Sequence, residues 1–148
     1  MSMTSSVTVR YGSESKVSPS FVIRLLLDGG WLLDDNGAIT YLPLGDKGEF
    51  NWATGLLTNI NEVFETIFQK EKNGELVGVV LTWNNTGQGG SLLFYEDQFI
   101  MNCTVDRKIV SKNWSVKCTD FTWYLERIIP CLEKGGLCFD YVKCEDIV

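Results

Sequence analysis

The chain of 148 residues contains no histidine. That removes the commonest general base near neutral pH. Ser-His-Asp and Cys-His catalytic arrangements are impossible within the chain, and a mixed Cys/His metal site is excluded. Long apolar runs are missing as well. None approaches the roughly 18–20 residues needed to span a bilayer, and Met1–Ser6 has no basic segment leading into an apolar one, so neither a membrane span nor a secretory signal is expected. A cytosolic protein is the expectation. The five cysteines are odd in number and include no Cys-x-x-Cys, which fits neither a disulfide framework nor a zinc site. They are expected to be reduced, buried thiols.

Phosphate-binding signatures are lacking too. There is no Gly-x-x-x-x-Gly-Lys-[Ser/Thr] and no Gly-x-Gly-x-x-Gly opening a helix. Thr86-Gly87-Gln88-Gly89-Gly90 has neither a following lysine nor a helix start, and reads as a mobile hairpin loop. Clustered Lys and Arg are scarce: the net charge is −6, which argues against a nucleic-acid reader. It suits a basic protein partner, because complementary charge speeds encounter. The one locally basic stretch, Arg107, Lys108, Lys112 and Lys117, reads as a solvated strand edge.

What the chain does have is a strong alternation of strand and helix signals within the length of one domain, residues 1–148, with residues 1–6 expected to be flexible. Val7–Tyr11 reads as a first strand. Ser18-Pro19 opens a helix that carries Phe21, Val22, Leu25 and Leu26 on one face and stops at Gly29-Gly30. Trp31–Leu33 and Ala38–Leu42 flank Asn36-Gly37, a hairpin signal. The glycines and proline of residues 43–55 predict an irregular loop. Asn59 and Glu62 suggest a capping box for a second helix ending at Asn73-Gly74. Strands follow at Leu76–Trp83, Leu92–Tyr95 and Phe99–Val105, with a continuation of the last toward Val110 as the alternative. Asp120 caps a third helix, which Pro130 should kink or end, and Leu137–Cys144 is a last strand. The order β-α-β-β-α-β-β-β-α-β, rich in hairpins, predicts an α+β fold: a mainly antiparallel sheet with about three helices packed on it.

Two features point to binding. Asp28–Glu49 holds five acids against one base, with Trp31, Tyr41, Phe50 and Trp52 interleaved. Aromatic anchors rimmed by charge are the usual material of interface hot spots; the competing reading is core aromatics with a solvated acidic rim. Glu96-Asp97, at a tight turn, could extend the acidic face. Candidate partner-binding residues are therefore Asp34, Asp35, Asp46, Glu49, Trp52, Glu96 and Asp97. Exposed turn carboxylates lack the desolvation that tunes catalytic pKa values, so no catalytic residue, metal ligand or cofactor is assigned.

Asp28-Gly29-Gly30-Trp31, Asn36-Gly37, Tyr41-Leu42-Pro43-Leu44-Gly45-Asp46 leading to Trp52, and Phe121-Thr122-Trp123-Tyr124-Leu125-Glu126 before Pro130 resemble small bacterial immunity proteins. These are paired with polymorphic toxins, notably those of contact-dependent growth inhibition. The resemblance implies an antitoxin role: binding the C-terminal domain of one cognate toxin, often a basic nuclease, in the producing cell's cytosol. It assigns no contact residues; the net charge and the lack of long apolar runs argue against a nucleic-acid or membrane partner. A monomer or homodimer fits. The alternatives are a structural or adaptor subunit of a complex, to which five tryptophans would lend an interface, and a metal-dependent hydrolase working through carboxylates.

Overall fold

A computed structural model describes residues 3–12 and 16–148. The strands are β1 (Thr4–Tyr11), β2 (Trp31–Leu32), β3 (Ala38–Tyr41), β4 (Ala53–Leu56), β5 (Val77–Trp83), β6 (Gly89–Phe94), β7 (Gln98–Val105) and β8 (Phe139–Ile147). The helices are α1 (Pro19–Gly29), α2 (Ile60–Asn73) and α3 (Phe121–Lys134). One antiparallel sheet holds all eight strands in the order β4-β3-β5-β6-β7-β1-β8, with β2 also pairing β5. The fold is the expected α+β, in the expected element order with β4 added.

The helices share one face of the sheet. Val22 and Leu26 of α1, Val63 and Ile67 of α2, and Tyr124, Ile128 and Leu132 of α3 join Val7, Val9, Val79, Leu81, Leu92, Phe94, Phe99 and Met101 in one core. These sheet residues alternate along their strands, as a sheet with one buried face requires. Gly29 lets α1 and α3 approach, because a Cβ there would lie 2.1 Å from Cys131 Sγ.

Local signals act where the chain chemistry predicts. Ser18 Oγ accepts from Phe21 N–H at the start of α1, and the Asp120 carboxylate accepts from Trp123 N–H at the start of α3. Asn36 (φ 52°) and Gly37 (φ 87°) form the tight turn, closed by Asp35 and Ala38 exchanging N–H···O bonds of 2.7 and 3.2 Å.

Several expectations are corrected. Residues 4–6 are ordered in β1, with Ser5 and Ser6 buried; Met1 and Ser2 lie outside the described residues. β2 does not pair along β3: Trp31 and Leu32 pair Trp83 and Thr82, because burial of the Trp31 ring edge-on to Trp83, 5.4 Å away, outweighs extension of the hairpin. β4 begins inside the segment expected to be irregular, its Gly55 paired with Ile39. Asn59 makes no side-chain cap because Leu57–Asn59 already form a 3-10 turn, which denies Asn59 the extended backbone a cap needs. Of the two outcomes expected at Pro130, an end to α3 is excluded, since the helix runs on to Lys134. Gly89 and Gly90, expected in a mobile loop, are buried in β6. β7 ends at Val105, and Arg107–Lys117 form a loop and not a strand edge. Finally, β8 reaches Ile147, three residues beyond its expected end.

Candidate partner-binding surface

The loop from Pro43 to Trp52 is held from both sides. At its entry Lys70, 1% exposed, donates from Nζ to the carbonyls of Leu42 (3.2 Å) and Pro43 (2.8 Å). Burial lowers the Lys70 pKa, while the nearby carboxylates of Glu75 and Asp46 act in the opposite direction. Gly45 N–H donates to Glu75 Oε1 at 2.7 Å; this bond first, then one from Asn73, holds the Glu75 carboxyl below its usual range. Asp46 is buried, and its carboxylate accepts from the backbone N–H of Phe50 (3.0 Å) and Asn51 (2.9 Å). Trp52 N–H closes the turn onto the Phe50 carbonyl at 3.1 Å.

This bracing keeps Phe50 at φ 57°, a conformation unfavourable for a bulky L-residue. It also turns apolar groups outward: Leu44 is 50% and Phe50 44% exposed, with exposed Glu49 beside them and Trp52 half-buried. Asp46, expected among the contact residues, faces inward; it shapes the loop, and Glu49 and Phe50 form its outer surface. Lys70 was not singled out from the sequence. Its only signal was its place three residues after Ile67 on the apolar stripe of α2.

The other candidates lie elsewhere. Asp34 and Asp35 are half-buried and committed to their own turn: Asp34 Oδ1 accepts from Gly37 N–H (2.7 Å) and Asp35 Oδ2 from the Thr40 hydroxyl (2.8 Å). The Thr82 hydroxyl donates to the Asp34 carbonyl, which places this turn at the Thr82 end of β5. Glu96 and Asp97 are exposed between β6 and β7, and Asp97 pairs with Arg10 at 3.0 Å. Since Val77 pairs Phe94 and Thr82 pairs Gly89, the Glu96-Asp97 turn sits at the opposite end of the β5–β6 hairpin from Asp34-Asp35. The loop of Asp46 and Glu49 leaves β3 next to Gly78, at the same end as Glu96-Asp97. The seven residues therefore do not form one acidic face.

Near the Asp34 turn is a cluster absent from the sequence-based candidates. The Arg127 guanidinium lies over Trp123 at 4.4 Å and Trp83 at 5.5 Å, and Trp31 Nε1 donates to the Arg127 carbonyl at 2.8 Å. Trp83, Trp123 and Arg127 are half-buried, and Arg127 Nε is buried without a partner. The i, i+4 spacing of Trp123 and Arg127 on α3 was the legible signal. No family model, curated protein or solved structure matches the chain.

The basic loop after β7 is knotted to the chain ends. Arg107 Nη1 donates to the Lys117 carbonyl and the Thr119 hydroxyl, each at 2.7 Å. Asp146 in turn accepts from the hydroxyls of Ser5 and Thr119 and from Thr119 N–H. Burial opposes ionisation of Asp146, but these bonds outweigh it and hold its pKa below the usual value. Burial pushes the Cys103 thiol up to about 12, so it stays protonated at neutral pH. Among the described residues, no group of three or more His, Cys, Asp or Glu is placed to hold a metal ion, and no helix is long and apolar enough to cross a membrane.

Proposed function

We propose that this chain is an immunity protein that binds and neutralises one cognate toxin domain in the cytosol of the cell that makes both. The observation carrying the reading is the braced loop 43–52, which holds Leu44, Phe50 and Glu49 outward while Asp46 and Lys70 fix its backbone. A rigid loop loses little entropy on binding, so its apolar contacts appear as slow dissociation. The net charge of −6 favours a basic partner, as a nuclease domain that grips phosphates would be. Engagement of Asp34, Asp35 and Asp46 with their own loops favours binding over carboxylate catalysis.

The test is affinity capture from source cells with low-salt and then high-salt washes, followed by co-expression of the captured partner in a sensitive host. The expected outcome is a near-stoichiometric basic polypeptide whose C-terminal domain arrests growth alone and is silent with this chain. Phe50→Ala and Glu49→Lys should weaken that protection, the first through dissociation and the second through association. A captured partner without toxicity, or full protection by the Phe50→Ala/Glu49→Lys double variant, would refute the assignment or the loop's part in it, respectively.

A further inference from the structure

The two edges of the sheet differ. β4 is four residues long, whereas β8 runs for nine and pairs only with β1. Among the described residues no backbone hydrogen bond reaches the outer side of β8. Natural sheets blunt long edges with proline, bulges, short strands or charged side chains; β8 uses the last of these, at Asp140, Lys143, Glu145 and Asp146, so only a strand whose charges match these can add to it. The outer edge of β8 has no proline, and its single irregularity is at its start, where the register with β1 shifts between Arg10 and Tyr11. The strand also leaves Tyr141 46%, Val142 38% and Ile147 56% exposed, and Val148 just beyond it 66%.

We propose that β8 is a homodimer interface, in which β8 of a second copy pairs antiparallel along this edge about a twofold axis at Cys144. The sequence of the strand selects that register. Pairings that keep all helices on one side of a continuous sheet match residues of the same face, because cross-strand neighbours share a face. A centre at Lys143 sets Lys143 against Lys143 and Asp140 against Asp146, and a centre at Glu145 sets Glu145 against Glu145. Like charges directly opposite are destabilising. A centre at Val142 avoids like charges but leaves Lys143 facing Tyr141 and Glu145 facing Phe139, with Ile147 and Val148 beyond the strand's end.

A centre at Cys144 sets Val142 against Asp146 but is the register that sets Lys143 of each copy against Glu145 of the other, two opposite-charge pairs, with Tyr141 against Ile147. Both charge pairs lie on the face away from the helices, as the β1 register (Thr8 opposite Lys143, Ser6 opposite Glu145) requires. The interface is self-complementary, as a twofold contact must be. It leaves loop 43–52 free, since β3 and β4 occupy the other edge of the sheet. The inference is therefore independent of the proposed antitoxin role.

The test is sedimentation velocity of the full chain from micromolar to millimolar concentration, with far-UV circular dichroism to verify folding. The wild type is expected to approach twice its 16.7 kDa mass. Lys143→Glu opposes two acidic pairs and should weaken dimerisation roughly tenfold or more. Lys143→Glu/Glu145→Lys exchanges the charges and should restore it. A wild type that stays monomeric throughout overturns the proposal, even if the edge accepts an unrelated extended segment. So does a dimer indifferent to Lys143→Glu, or one that the double exchange fails to restore.

Discussion

Replacing Asp46 with alanine removes both acceptors that hold the 43–52 loop. The two backbone N–H bonds to its carboxylate, 3.0 and 2.9 Å long, are charge-assisted, each contributing about 1.5–3 kcal/mol. The loop lies at the surface, so water re-solvates the freed N–H groups and the lower value applies, about 3 kcal/mol for the pair. Against this, Phe50 can leave its positive-φ conformation, which releases about 1 kcal/mol of backbone strain. The net loss is about 2 kcal/mol, chiefly in local opening of the loop and less in global unfolding. Amide hydrogen exchange reads this directly: the Phe50 and Asn51 N–H groups should exchange roughly 30-fold faster in Asp46→Ala. Core amides such as those of Val79 and Leu92 should change far less. Asp46→Asn, which keeps one acceptor oxygen, should fall between. Unchanged exchange at Phe50 and Asn51 would refute the bracing argument, and with it the reason for regarding the loop as pre-organised.

Two further outcomes follow from the geometry. Gly30→Ala places a Cβ 2.7 Å from the Trp83 ring at φ 123°, combining overpacking with backbone strain. It should destabilise by about 3 kcal/mol and lower the melting temperature by roughly 6–12 °C in calorimetry. For Asp146 the folded pKa is depressed, so its contribution is present above the unfolded value of about 3.9 and is lost as pH falls through the folded value. Urea midpoints should therefore drop below about pH 4 in the wild type and vary less over that window in Asp146→Asn. Parallel pH profiles would count against the Ser5–Thr119–Asp146 knot as an acid-sensitive tie.

Much of the architecture was legible because its determinants are short-range. Ser18 before Pro19, Asp120 before Phe121 and Asn36-Gly37 each act on backbone groups within a few residues, and the apolar stripes of α1, α2 and α3 recur at the helical period whatever lies opposite. These signals determined the element order, the α+β class and the turns that carry Asp34, Asp35, Glu96 and Asp97. Tertiary structure alone decided the rest. β4 is a strand because β3 offers it partners, despite Gly55. β2 leaves the hairpin because the buried Trp31 ring packs edge-on against Trp83. Lys70 is buried because carbonyls 28 and 27 residues away receive its ammonium, and Asp46 turns inward because the Phe50 and Asn51 N–H groups face it. Strand pairing and burial depend on partners distant in the chain, which local spacing does not encode, and those distant partners set which carboxylates shape the surface and which remain free to bind.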